Sequence, residues 1–518
     1  MFGKFYSALC AVFLILFSGV LSASAQDISL IARDGAVEIN GTFLGFDGEF
    51  YRVDTEFGVL TVDASGVNCD GPGCPDLSSY FANIRFSGDP WAVDGLLSAL
   101  VQSFAARSNY ATKIEPLDNG QRVTMLAGDT VMAEFDLLYT SDGEGFADLA
   151  SENTDIVVAL REATDAEVGF AIDAGVGDLR DPIRARVLAL DALAPLVSRS
   201  NPLDSISLSD LRSILTGKVD NWSDIHGNDA PIAVHVRGSD FESGHGGFEL
   251  LPKRSEFSSD VVIHEDVTSV VAAVEADPYA IGLGFVSAGG AVKTLGLTGA
   301  CGFFATVAPV DIKTEDYPLT LPVFLYTPAR RLPAVAREFI DFATSPAAQI
   351  IVARTQFVDQ SVEELSFRDQ GRRFANGIAS AGEEVSLEDL QAVTTHLQGA
   401  NRLTLGFRFE GGSTRLDAQS RSNTRLLARL LEAGVYDGKT LIFAGFSDGR
   451  GGAGPNASLS KRRAESVRRA VLEGMGDEFD DSRVSLTTIG AGEAMPLACD
   501  DLAWGRGLNR RVEVWVRD

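Results

Sequence analysis

The stretch GFSDGRGGAGPNASLSKRRAESV, residues Gly445 to Val467, follows an apolar run, KTLIFAGF (Lys439–Phe446), and leads into an amphipathic one. It reads as a strand joined to a helix by a glycine-rich loop. Asp448 sits where the strand ends, and Arg463 follows fifteen residues later near the helix start. A strand end and a helix N-terminus that flank one loop form a polar cleft. An acid and a base held there suit a ligand with both an amine and a carboxylate. The same residues also fit a surface loop with solvated charges. Ala464, Val467, Ala470 and Val471 recur at helical spacing and should face a sheet, leaving Lys461, Arg462, Arg468 and Arg469 in solvent.

Working outward, the unit is expected to contain strands over 403–409, 440–446, 483–490 and 511–516, with helices over 417–431 and 458–474. That is an α/β domain. Gly445-Phe446-Ser447-Asp448-Gly449 also fits G-x-S-x-G, the nucleophile elbow of serine hydrolases. An elbow needs a helix directly after the turn, and the loop here is expected to run about nine residues. It also needs a histidine, and the last in the chain is His396. No enzymatic activity is expected.

Four motifs in order give this region a family resemblance. Gly445-Phe446-Ser447-Asp448 comes with Gly451. Asn456 comes with Leu459-Ser460 and Arg463-Ala464 to Val467. Gly490-Ala491-Gly492-Glu493 runs to Pro496, and Asn509-Arg510-Arg511-Val512-Glu513 closes the series. Together they resemble the OmpA-like peptidoglycan-binding domain, over about residues 402–518. Phe446-Ser447 stands where His-Thr is commoner, and the acid is kept. The resemblance implies that Asp448 pairs with the ammonium of diaminopimelate in the wall stem peptide and that Arg463 takes its carboxylate. Asn456 and Arg511 join the implied site, with Arg511 and Asn509 as buttresses of the loop.

Upstream, from about Ile84, strand-like runs alternate with helical periods for nearly 280 residues. DIVVAL, VLALDALAPLVS and PIAVHVRG carry few polar positions, as buried parallel strands do, and an α/β sheet split into two lobes is expected. ALDALAPLVSRSNPLDSISLSDLRSILTGKVDNWSDI (Ala189–Ile225), DPYAIGLGFVS (Asp277–Ser287) and FLYTPARRLPAVAREFIDFATSPAAQ occur in the order that phosphate-type periplasmic substrate-binding proteins use. The resemblance covers roughly residues 81–358. It implies an oxyanion held between lobes by hydroxyls, helix-start N–H groups and an arginine.

Read position by position, the implied anion site takes Ser87 and Asp89 from SGDP, where the family usually has Gly-Ser/Thr. It takes Asp155 and Arg161 from the second loop, and Arg237 from a strand end with Ser243-Gly244 opening a helix. Asp89 puts a negative charge at the site, although an acid there can accept the proton of a singly protonated anion. Arg237 also fits a salt bridge between lobes. His245 replaces the usual threonine. His226, His235 and His245 are spaced too widely for a typical metal set, and neither metal nor cofactor is expected.

Composition sets the surroundings. With 44 basic and 72 acidic residues the chain carries −28, which repels nucleic acid and anionic membrane surfaces. Hydrophobic content of 45% excludes general disorder. Lys4, an apolar run over Ala8–Leu21, and Ala23-Ser24-Ala25 read as a cleaved signal peptide, residues 1–25. Export permits disulfides. Cys69 and Cys74 enclose Asp-Gly-Pro-Gly and are expected to pair, since zinc would need a second clustered pair. Cys301 and Cys499 are either free or paired across an interface. Residues 27–67 alternate apolar and polar positions between Asp-Gly and Asn-Gly breaks, as hairpins do.

The expected protein is a multidomain α/β chain. A small N-terminal β-module (26–80) precedes a two-lobed periplasmic-binding-protein-like α/β domain (81–358). A polar connector (359–401) then leads to the C-terminal OmpA-like α/β domain (402–518). Its expected place is the periplasm, bound non-covalently to the wall. Its implied partners are peptidoglycan, through the diaminopimelate stem peptide, a small oxyanion such as phosphate, and an ABC transporter. The alternative is an envelope sensor or interaction protein whose middle domain takes no anion.

Overall fold

A computed structural model describes residues 27–77, 80–238, 250–409, 413–476 and 479–518. The expected signal peptide (1–25), Ser243, Gly244 and His245 lie outside the described residues. The chain divides into two compact units. One holds the described residues up to Ala82 together with Leu332–Val335, and the other holds Asn83–Arg331 and Ala336–Asp518. The first unit is a five-stranded sheet in the order Gly58–Asp63, Phe50–Thr55, Glu38–Phe46, Ile28–Ala32, Val67–Asp70, with every pairing antiparallel. Ile28, Leu30, Tyr51 and Val53 form its core. Cys69 and Cys74 are joined by a disulfide at the end of the last strand.

In the second unit the middle domain is built on an eleven-stranded sheet. Its organising member is Ala185–Ser198, 14 residues long and almost wholly buried. The first half pairs with Thr320–Tyr326 and the second half with Ala280–Phe285. One strand therefore runs through both halves of the domain. Both pairings are antiparallel, which corrects the expectation of a buried parallel strand. A strand in mid-sheet is covered on both faces whatever its direction, so an apolar run does not report polarity. Parallel pairing appears at Ile156–Ala159 with Ala82–Gly88, and at Ala233–Arg237 with both Val262–His264 and Ala280–Phe285. Ala111–Leu117, Gly120–Ala127 and Thr130–Tyr139 form an antiparallel meander at one edge.

In the C-terminal domain the strand Arg511–Arg517 lies between Asn401–Arg408 and Thr440–Gly445, antiparallel to both, and Thr440–Gly445 runs parallel to Ser485–Gly490. Alternate strand positions face opposite sides. Leu441, Phe443, Val512 and Val514 pack on the helices Ala418–Glu432 and Ala453–Glu473. Ile442, Ala444 and Trp515 pack on Val393 and Leu397 from Leu387–Leu397. The polar segment expected to be a connector thus supplies the layer that covers the sheet's second face. The middle and C-terminal domains are also cross-linked. Cys301 is bonded to Cys499, and Arg402 donates to Asp316 at 2.7 Å.

Candidate functional site

The C-terminal site begins with a close crossing. A Cβ on Gly445 would lie 2.0 Å from the Ser460 carbonyl oxygen, so only glycine lets the helix back onto the strand here. The helix starts at Ala453, five residues before the expected Ser458. Pro455 falls in its first turn, where a missing N–H breaks no helical bond. The loop after Asp448 is correspondingly short. Ser447 is buried, and its Oγ has no hydrogen-bond partner among the described residues.

This packing brings Asp448 and Arg463 together with a third group. Asp448 Oδ2 accepts from Arg510 Nη1 at 2.7 Å. Arg463 is 1% exposed and forms no ion pair among the described residues. Among the described residues it offers only long bonds to the Ser413 carbonyl, at 3.3 and 3.4 Å, and its Nη1 has no partner. Its guanidinium stacks 5.1 Å from the Phe409 ring. Burial pulls its pKa down, Arg510 adds to the effect, and Asp448 opposes it. A buried cation beside a carboxylate already engaged elsewhere is one anion short of satisfied.

The supporting shell is well defined. Asn456 is buried in the first turns of the helix. Asn509 accepts from the Leu497 and Ala498 N–H groups and donates to Asp500, and Asp500 accepts from Gly449 N at 2.7 Å. Arg511 is fully buried, donates to Glu513 and to the Met495 carbonyl, and lies 4.1 Å from the Phe446 ring. It is Arg510, not Arg511, that reaches Asp448. Arg510 caps the C-terminus of the helix Ala503–Asn509, while Arg511 opens the strand that follows, so the two adjacent arginines belong to different elements.

In the middle domain, Asp89 caps the helical turn that starts at Pro90 by accepting from Trp91 N at 2.9 Å. Arg237 Nη1 and Nη2 meet its two carboxylate oxygens at 3.2 and 3.1 Å. Arg237 also lies over the Phe285 ring at 4.8 Å. Arg161 forks onto Glu167 at 2.7 and 2.8 Å and approaches Asp142 at 3.7 Å. Both arginines expected to face an anion therefore hold carboxylates of the chain. Asp155 sits away from that loop, in a buried pairing with Arg85 and Arg330.

Ser87 is fully buried, and its Oγ, like Thr140 Oγ1 nearby, has no hydrogen-bond partner among the described residues. Burial, reinforced by the Asp89 charge, pushes the Asp142 carboxyl up to about 7. Asp191, at the centre of the long strand, accepts from Ser287, which in turn accepts from Trp91 Nε1 at 2.9 Å. Sequence reading missed Asp142, Ser287 and Trp91 as members of this region. His235 and His264 touch at 3.0 Å, while His226 closes a short 3-10 turn. Among the described residues no three His, Cys, Asp or Glu side chains converge as metal ligands. No described helix is long and apolar enough to cross a membrane.

Two families match this chain. The PBP superfamily domain covers residues 75–347, more than half of the sequence, and the OmpA family covers residues 408–510. Protein SphX of Synechococcus elongatus is 26% identical over 220 residues, which are 40% of this chain and 64% of that protein. Outer membrane protein A of Bordetella avium is 40% identical over 85 residues, 16% of this chain and 41% of that protein. The chain spans less than two thirds of the length of each of these curated relatives. Among solved structures, an ABC-type phosphate transport receptor from Vibrio cholerae is similar over 54% of this chain and 99% of its own, with 18% identity and a TM-score of 0.40.

Proposed function

The chain belongs to the PBP superfamily through residues 75–347 and carries an OmpA family domain at 408–510, and from that premise we propose that it is a non-catalytic envelope protein that holds a solute-binding module against peptidoglycan. Asp448 takes the ammonium of diaminopimelate and Arg463 its carboxylate. Asn456 shapes the helix start, and Arg511 holds the loop from behind. The observation that carries this reading is the buried Arg463 guanidinium, which has no ion pair among the described residues. Arg510 is an internal stand-in for the ammonium. Its side chain is 27% exposed, so it can swing away when the ligand arrives.

Co-sedimentation with purified peptidoglycan tests the proposal. Asp448→Ala and Arg463→Ala are each expected to weaken pelleting more than about tenfold, because each removes a charge-assisted bond worth roughly 1.5–3 kcal/mol. Equal pelleting of both variants and the wild type would overturn it.

In the middle domain the proposed ligand is a small oxyanion such as phosphate, with an ABC transporter as the partner such a module serves. Arg237 supplies charge, the orphaned Ser87 Oγ supplies a donor, and Asp89 accepts the proton of a singly protonated anion. A second reading rests on the Asp89–Arg237 pair itself. There the aspartate replaces the anion, and the domain acts as an envelope sensor or interaction module. Thermal-shift titration with phosphate and sulfate separates the two. The first expects a rise with phosphate that Arg237→Ala abolishes; the second expects no rise with either anion.

A further inference from the structure

A cavity of about 840 Å³ lies between the middle and C-terminal domains, bounded on one side by Leu160–Asp165 and on the other by Phe409, Gln419, Trp504 and Arg510. Two of these residues border the wall-binding pair. Arg510 is the group bonded to Asp448, and Phe409 is the ring under Arg463. These two residues therefore stand between the cavity and the Asp448–Arg463 pair, so the cavity lies next to the place where a diaminopimelate side chain would sit.

Its walls are held in register. Besides the Cys301–Cys499 bond and the Arg402–Asp316 pair, Glu162 of the middle-domain loop accepts from Ala418 N at 2.7 Å, at the start of the helix that carries Gln419. Gln419 is 3% exposed; its Nε2 donates to Asn423 Oδ1 at 3.4 Å, and its Oε1 has no hydrogen-bond partner among the described residues. A buried amide oxygen at a polar cavity, with no donor to meet it, calls for a ligand that brings an N–H or O–H. The volume falls in the range of small-molecule sites.

We propose that this chamber is an extended subsite for the peptide that flanks diaminopimelate, so that the chain recognises a stem peptide of several residues rather than its zwitterionic residue alone. The proposal rests on the wall-binding reading above. Gln419 reads a peptide amide, and Trp504 offers an apolar surface in the same chamber. The middle domain thereby contributes a wall to the peptidoglycan site through Leu160–Asp165, the loop that follows its Ile156–Ala159 strand.

Isothermal titration of the full chain with free meso-diaminopimelate and with the tripeptide L-Ala-γ-D-Glu-meso-diaminopimelate tests this. The tripeptide is expected to bind at least about tenfold more tightly. That ratio should collapse toward one in Gln419→Leu and in Gly507→Trp. Gly507 lines the chamber, and a Cβ there would meet nothing within 4 Å, so a large side chain fills the space without displacing the backbone. Equal affinities of the wild type for both ligands, or an unchanged ratio in both variants, would overturn the subsite. Asp448→Ala is the control for the underlying reading. If it binds both ligands as the wild type does, the wall assignment itself fails, whatever the ratio.

Discussion

At the scale of single residues, burial decides which charges are costly and which are useful. Glu315 lies where the two domains meet, and burial, with Asp417 nearby, raises its carboxyl to about 8. An acid whose folded pKa lies above its unfolded value adds stability that is full below the unfolded pKa and is lost as pH rises through the folded one. The wild type should therefore weaken between about pH 4.5 and pH 8. Glu315→Gln should flatten that fall by about 4 kcal/mol, read from urea midpoints at pH 5 and pH 8.5. Asp142, raised to about 7, acts in the same direction. Asp316 runs the other way. Although burial opposes it, Arg402 and Arg373 hold it down to about 2, so its contribution is lost only as pH falls below about 4.

At the scale of elements, the site depends on how closely a helix approaches a strand. The Ser460 carbonyl occupies the space where a side chain at residue 445 would go. Gly445→Ala must push the helix Ala453–Glu473 outward, and overpacking of this kind costs about 1–3 kcal/mol. Because Arg463 rides on that helix, the variant should lose wall binding as well as stability, measured by pelleting and by thermal melting. Native melting together with wild-type pelleting would contradict this account. The position of the helix start illustrates a limit of local reading. Gly454 and Pro455 look like breakers, yet first-turn geometry accommodates both.

At the scale of the whole molecule, the middle and C-terminal domains behave as one unit because they are stapled covalently and by charge. The Cys301–Cys499 bond spans 198 residues of sequence. Glu513, fully buried, receives Arg373 and Arg511 and lies 3.7 Å from Arg402. Replacing both cysteines with serine should lower stability by about 3–5 kcal/mol. Calorimetry should then resolve the shared unfolding transition of the two domains into two steps. A single unshifted transition would mean that the ion pairs alone suffice. Reducing Cys69–Cys74, which closes a separation of only five residues, should cost less.

How much was legible in the sequence followed from how far apart the partners lie. Asp448 and Arg463 belong to one strand–loop–helix unit, so motif spacing alone brought them together. The period of two and the helical period likewise gave the element types and the α/β architecture. Arg237 meets Asp89 across 148 residues, and Glu315 meets Arg408 between domains, so no local pattern could announce either partner. Strand direction was equally hidden, since burial on both faces looks the same in parallel and antiparallel sheets. By itself the sequence determined a chain of α/β domains with an acid, Asp448, and a base, Arg463, set around one loop near its end, because those features are encoded by local spacing. Only the tertiary structure decided that Arg510 bonds to the Asp448 carboxylate, that Cys301 and Cys499 join two domains, and that a cavity lined by Phe409 and Arg510 opens between them. Each of these depends on which distant surfaces are pressed together, and only the packing of the folded chain sets that.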